Sequence, residues 1–196
     1  MATGQRGRPR SFDRDAALDE AMRAFWIHGY EATSISDLTR AMGIGAPSLY
    51  AAFGDKRKLF DEVVEVYAGR YGAFGAHAFS EEPTARAGLE RTLREAAVVY
   101  TDPAHPPGCL VISATNCATP EVEAALRDRR NANIALFESR IRADVAAGLL
   151  PAGTDAAALA RFGGAVLQGM SQQARDGATR EELEALAERA LLAWPQ

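Results

Sequence analysis

The chain has few of the residues that most often carry catalysis or metal binding, since its 196 residues include two cysteines and three histidines. Cys109 and Cys117 are eight residues apart, and on a shared helix their Cα atoms would lie about 12 Å apart, too far for a disulfide. His28, His77 and His105 share no spacing typical of a metal site, and there is no glycine-rich phosphate loop. We therefore expect no metal, no cofactor and no disulfide, which fits a reducing compartment.

Long apolar runs are also lacking. No stretch approaches the roughly 18 consecutive apolar residues of a membrane span, and the basic N-terminus has no apolar core like that of a signal peptide. The short run CLVIS resembles a strand, but no partner strand accompanies it, which favours a buried helix. The sequence predicts an all-α globular protein of one or two domains in the cytoplasm.

Charge is unevenly distributed along the chain. The net charge is −4, which taken alone disfavours nucleic acid. Residues 1–60, however, contain nine Arg/Lys and seven Asp/Glu, while the remaining 136 residues contain 13 and 19. This split predicts a head that approaches phosphates and an acidic body that does not.

Apolar residues at three- and four-residue spacing predict about nine helices. Asp13, Asp55 and Thr119 are candidate N-caps, and Thr179 with Glu182 matches a capping box. The predicted helices cover approximately 13–28, 36–42, 47–53, 55–74, 83–100, 109–113, 119–145, 155–175 and 179–194.

Two of these helices are short and joined by a glycine turn. The helix at 36–42 stops at Gly43, and the next begins near Pro47, a residue favoured in a first helical turn. With the aromatic-rich helix before them, they have the arrangement of a helix-turn-helix. Helical hairpins with a glycine turn are also common in purely structural roles, so the spacing alone is weak support.

The longer string is more specific. Residues 17–60 read ALDEAMRAFWIHGYEATSISDLTRAMGIGAPSLYAAFGDKRKLF, which strongly resembles the DNA-binding domain of the TetR family of bacterial repressors. The matching residues are Ala21, Phe25, Gly29, Tyr30, Thr33, Ile35, Leu38, Gly43, Ile44, Leu49, Tyr50, Phe53, Lys56 and Leu59. The resemblance implies a basic arm at 1–12, a helix-turn-helix domain at 13–60 and a helical regulatory and dimerisation domain at 61–196.

The resemblance also implies a repressor that binds a pseudo-palindromic operator in double-stranded DNA as a homodimer. The third helix would enter the major groove, with Ala46, Pro47 and Ser48 at base edges or phosphates. Tyr50 and Lys56 would contact phosphates, and Thr33 would add a hydroxyl or backbone N–H contact. The alternatives are a core role for the Tyr50 ring and simple solvation of Lys56.

This third helix lacks the side chains that usually read DNA bases. No Arg, Asn or Gln lies between Gly43 and Gly54, and Ala51 and Ala52 are small. We therefore expect sparse readout, supplemented by DNA shape.

The N-terminal stretch RGRPRSF resembles an AT-hook core. Arg6, Arg8 and Arg10 are predicted to lie in a minor groove and to add salt-dependent affinity. The alternative is a solvated tail.

In the body, the resemblance implies dimerisation through the last two helices. Gly163, with Gly164 and Gly169, would leave one face of the helix at 155–175 without side chains, so that a partner helix could approach closely. The alternative is loose packing within the subunit. The candidate interface residues are Gly163, Val166, Leu167, Leu186 and Leu191.

The body is also expected to bind an unidentified small-molecule effector. Cys109, after a Pro-Pro-Gly break, is a candidate electrophile sensor if the helix N-terminus lowers its thiol pKa, or else a small buried apolar residue. Phe137, Met170 and Gln168, with Asn116 as a polar anchor, are candidate pocket residues, although such a stripe is more often plain core.

Two other classes of protein remain open. A thiol-dependent enzyme would pair His105 with Cys109, but the Pro-Pro-Gly segment between them disfavours that geometry. A DNA-packaging protein would bind without sequence discrimination and without an effector, which the acidic body disfavours. The sequence favours a regulator without enzymatic activity.

Overall fold

The computed structural model describes residues 12–113 and 119–195, and in these ranges the chain forms helices and no strands. This confirms the all-α class. The helices are α1 (Arg14–Ala32), α2 (Ile35–Met42), α3 (Ala46–Phe53), α4 (Lys56–Arg70), α5 (Phe74–Glu81), α6 (Ala85–Thr101), α7 (Leu110–Ser113), α8 (Pro120–Ala146), α9 (Ala156–Arg175) and α10 (Arg180–Leu191).

The described ranges contain ten helices instead of about nine, because the helix predicted from residue 55 to 74 is two helices. α4 ends at Arg70, where the N–H groups of Tyr71 and Gly72 both donate to the carbonyl of Tyr67, and α5 begins at Phe74. Phe74 follows Tyr71 by three residues, so the apolar spacing continues through the break and hides it.

Most predicted caps are present. Asp13 accepts from the N–H groups of the first turn of α1, Asp55 accepts from that of Lys58, and Thr179 forms the capping box of α10. Thr119 does precede α8, but the prediction that its side chain caps this helix is wrong, since its hydroxyl donates instead to a Glu31 carboxylate oxygen at 2.7 Å.

The helices form two hydrophobic cores. The first joins α1 to α4 with α7 and the beginning of α8, and its largest buried side chains include Phe25, Trp26, Phe60 and Tyr67. The second joins α6, α8, α9 and α10 around residues such as Leu93 and Ile141. None of the helices described is long and apolar enough to cross a membrane.

An aromatic cluster connects the two halves of the molecule. The Trp26 ring of α1 lies 4.7 Å from the Tyr67 ring and 5.3 Å from the Tyr71 ring, both edge-on, and stacks at 4.8 Å on His105 in the loop before α7. From α9, Arg175 donates to the carbonyls of Trp26 and Ile27 at 3.1 and 3.3 Å. α1 is kinked at Gly29, where φ is 78°, and the segment just before this kink is therefore held by both α9 and the loop that leads to Cys109.

Candidate nucleic-acid interface and regulatory cavity

α2 and α3 are joined by a tight glycine turn. Gly43 has φ 64°, a left-handed conformation that glycine adopts without strain, and its backbone N–H closes the end of α2. Leu38, Leu49 and Phe53 are buried beneath the two helices. Burial on this side fixes which face of α3 points outward.

The outward face of α3 carries little bulk apart from one tyrosine. Tyr50 is 50% exposed, so its ring is not part of the core. Pro47 is exposed, and Ala46 and Ser48 are half-buried beside it. No side chain caps the first turn of this helix, which leaves its positive end open to an external anion.

Lys56 stands at the first position of α4, close to the same surface. Its ammonium lies 4.3 Å from the centroid of the Tyr30 ring, a cation–π distance. A cation at a helix N-terminus opposes the helix dipole, and an approaching phosphate would relieve that cost.

The hydroxyl contact predicted for Thr33 is wrong, while its backbone N–H contact stays a prediction. Thr33 is completely buried and its hydroxyl donates to the carbonyl of Gly29 at 2.6 Å, so this side chain is not presented to DNA. The exposed hydroxyl residues at this end of α2 are Ser34, which forms a capping box with Asp37, and Ser36. The capping pattern in the sequence could have identified Ser34 as the residue at the helix start.

Two groups of predicted site residues lie outside the described ranges. They are the arginines of the N-terminal arm, Arg6, Arg8 and Arg10, and the polar anchor Asn116.

A cavity of about 160 Å³ lies between α4, α5, α6, α7, α8 and α9. Three of the predicted effector residues, Cys109, Phe137 and Gln168, line it. Met170 is fully buried in the second core and is not one of the residues that line the cavity. Sequence reasoning missed several lining residues, namely Tyr67, Phe74, Phe79, Leu89, Tyr100, Arg130, Ile134 and Leu167.

Cys109 lies at the cavity wall just before α7, and its backbone N–H donates to the Ser171 hydroxyl at 2.9 Å. Burial raises the pKa of its thiol, and the nearby hydroxyls of Tyr67 and Tyr100 oppose this shift only in part. The lowered thiol pKa suggested by a helix N-terminus is therefore wrong, because α7 has only four residues and desolvation outweighs it.

The glycines of α9 do not share one face. A Cβ on Gly163 would lie 2.5 Å from the Phe137 ring, and one on Gly164 would lie 3.1 Å from Ile134, so both accommodate α8 within the subunit. Gly163 therefore does not form the predicted face for a partner helix. Leu191 is also buried within the subunit, whereas Val166, Leu167 and Leu186 are half-buried. The outward stripe of α9 contains Ala158, Phe162, Ala165 and Gly169.

A helix-turn-helix whose α3 face is open to solvent, joined to a helical body that contains a cavity, is the architecture of a DNA-binding protein. The chain belongs to the TetR family. Residues 17–63 match the family model for bacterial regulatory proteins of the tetR family. The chain is 39% identical over 197 residues to the HTH-type transcriptional repressor ComR of Escherichia coli K12, covering 97% of this chain and 93% of ComR.

Further relatives support the assignment to this family. The HTH-type transcriptional repressor BdcR of Escherichia coli K12 is 30% identical, with 92% of this chain and 88% of BdcR covered. A cysteine variant of the TetR family regulator CifR, solved with 26-bp operator DNA, has a TM-score of 0.89 and 48% identity over 96% of this chain and 100% of that one.

Proposed function

We propose that this protein is a homodimeric transcriptional repressor that binds a pseudo-palindromic operator and leaves it when a small molecule fills the body cavity. The observation that carries the proposal is the outward face of α3, which is uncapped, lacks acidic side chains and presents an exposed Tyr50. The relatives ComR and BdcR are named as repressors, and CifR was solved with operator DNA, which supports the same role here.

In this proposal α3 enters the major groove and the ends of α2 and α4 contact phosphates. Pro47 and Ser48 lie against base edges, the Tyr50 hydroxyl and Lys56 contact phosphates, and Ser34 supplies the hydroxyl that we first assigned to Thr33. The DNA-binding unit is assigned to residues 13–60, with the arm at 1–12 adding salt-dependent affinity and residues 61–196 regulating. Base readout remains sparse, so DNA shape supplies part of the specificity.

Dimerisation places two α3 helices in successive major grooves, about 34–36 Å apart. The outward stripe of α9, with Phe162 38% exposed, and the end of α10, with Leu192 72% exposed, are the surfaces we assign to the partner. The small residues Ala158, Ala165 and Gly169 on this stripe allow close approach of another helix.

The signal from the cavity has a direct route to α1. The backbone N–H of Cys109, at the cavity wall, donates a hydrogen bond to the Ser171 hydroxyl on α9. One helical turn further along α9, Arg175 donates to the carbonyls of Trp26 and Ile27. A ligand that displaces α7 or α9 therefore shifts the part of α1 that precedes Gly29, and this shift reaches α3 through α2 and α4, which contact both helices. This role needs no enzymatic chemistry and fits a cytoplasmic protein. Because the Cys109 thiol is mostly protonated, reversible binding is favoured over attack on an electrophile.

Replacing Lys56 with alanine is expected to weaken operator binding several-fold and to reduce the slope of log affinity against log salt by about one, because one phosphate contact is lost. The measurement is a fluorescence titration against the fragment bound most tightly in a selection from genomic DNA, at several salt concentrations.

The matched control is Arg94→Ala, which removes an exposed cation from α6, a helix of the second core. It should leave both affinity and salt slope unchanged. An Lys56→Ala protein that folds normally and keeps the wild-type salt slope would contradict the phosphate contact.

A further inference from the structure

The cavity is largely apolar and small. Its wall includes the apolar side chains of Phe74, Phe79, Leu89, Ile134 and Phe137. Its volume of about 160 Å³ is close to the roughly 150 Å³ of an engineered apolar cavity that binds benzene. A ligand with one ring, or a chain of similar bulk, fits this space.

One cation lines the wall without a carboxylate partner. Arg130 donates from Nη1 to the carbonyl of Val111 at 2.9 Å and forms no ion pair with any residue in 12–113 or 119–195. The neighbouring Arg129 also lines the cavity but is paired with Glu65. The sequence has no Asp or Glu in 1–11 or 114–118 either. Desolvation lowers the pKa of Arg130, and the charge of Glu123 compensates only in part, so the guanidinium charge is held at a cost that an anion would offset.

A buried hydroxyl lies in the same wall. Tyr67 is 1% exposed, and its hydroxyl has no hydrogen-bond partner of normal geometry among the described residues. Burial next to Cys109 raises the pKa of Tyr67, so the hydroxyl stays protonated and can donate. A buried donor of this kind is costly unless a ligand accepts from it.

We propose that the cavity binds a small organic monoanion, a carboxylate on a single ring or short chain, with Arg130 pairing its charge and the Tyr67 hydroxyl donating to it. This inference rests on the proposed function, since it names the chemical class of the effector. The apolar wall takes the ring or chain, and the two polar groups fix which end carries the charge.

A carboxylate suits the site better than a phosphate. The planar guanidinium of Arg130 matches a planar carboxylate, and one cation balances one negative charge. A phosphate dianion would bring a second charge into an apolar wall whose described residues include no further unpaired cation, since Arg129 is already paired.

The test uses the full-length protein and two probes of similar size, benzoate and benzyl alcohol, with binding measured by calorimetry. Benzoate is expected to bind wild type at least 10-fold more tightly than benzyl alcohol. Arg130→Gln, which removes the charge but keeps an amide donor near Val111, is expected to weaken benzoate roughly 10- to 100-fold and leave benzyl alcohol unchanged. Tyr67→Phe should weaken benzoate by a smaller factor.

Arg127→Gln, which removes an exposed cation of the same helix that does not line the cavity, is the matched control and should leave benzoate affinity within about twofold. The proposal is overturned if benzoate binds no more tightly than benzyl alcohol, or if Arg130→Gln and Arg127→Gln weaken benzoate equally. Operator affinity of each variant without ligand is measured in parallel. Normal operator binding with no preference for benzoate would refute the ligand class alone, whereas loss of sequence-specific operator binding by wild type would refute the proposed function.

Discussion

Replacing Trp26 with alanine is expected to lower the free energy of unfolding by about 3–5 kcal/mol. The ring is 1% exposed and contacts Tyr67, Tyr71 and His105, so its removal leaves a cavity where α1, α4 and the loop before α7 meet. Urea unfolding followed by circular dichroism measures the change. Because this cluster lies between the cavity and the helix-turn-helix, the variant should also respond less to effector at a temperature where it is folded.

Two variants make this result specific. Trp26→Phe should cost much less, since a ring is retained and the indole N–H has no hydrogen-bond partner among the described residues. Ile27→Ala changes the next residue, which is 49% exposed, and should lie within about 0.5 kcal/mol of wild type. A Trp26→Ala protein as stable as Ile27→Ala would show that the cluster does not hold the two halves together.

Replacing Asp144 with alanine is expected to cost about 2–4 kcal/mol. Asp144 is 3% exposed, and its carboxylate accepts from the backbone N–H of Ala85 at 2.6 Å, at the N-terminus of α6. Arg140 lies 3.8 Å from the same carboxylate. The substitution therefore leaves a buried N–H unsatisfied, removes a favourable charge at the end of α6 and leaves Arg140 without its counter-charge.

The substitution of Asp144 should also weaken ligand binding in the cavity, because Asp144 links α8 to α6 and both helices line the cavity. Urea unfolding gives the stability change, and calorimetry with benzoate gives the effect on the cavity. Asp128→Ala, on an exposed face of the same helix, is the control and should change neither. Asp144→Asn should fall between, since it keeps an acceptor but no charge. Equal stability of the Asp144 and Asp128 variants would contradict this role.

The helix-turn-helix was predictable because its signals are local. These signals are the helix caps, the turn at Gly43 and the apolar spacing of Leu38 and Leu49, and each acts over a few residues. The structure contains all of them. The break between α4 and α5 was not predictable from apolar spacing, since Phe74 keeps the periodicity of the preceding helix. Gly72 was the residue in the sequence that could have indicated the break.

The regulatory half was harder to predict because its properties depend on distant contacts. The direction of the Cys109 pKa shift follows from burial by helices far along the chain, and no local pattern shows that burial. Gly163 illustrates the same point, because only the position of Phe137 on α8 shows that this glycine is needed inside the subunit. The two polar groups in the cavity, Arg130 and Tyr67, belong to different helices and are 63 residues apart in sequence.

The central claim is that this chain recognises a particular DNA sequence. We would incubate the protein with fragmented genomic DNA at a low and a higher salt concentration, recover the bound fragments and sequence them. The account predicts that a few fragments survive the higher salt and share a palindrome whose half-sites are separated by about one helical turn or a multiple of it. Recovery spread evenly over the genome, falling steeply with salt at every fragment, would contradict the claim and indicate a protein that binds DNA without reading it.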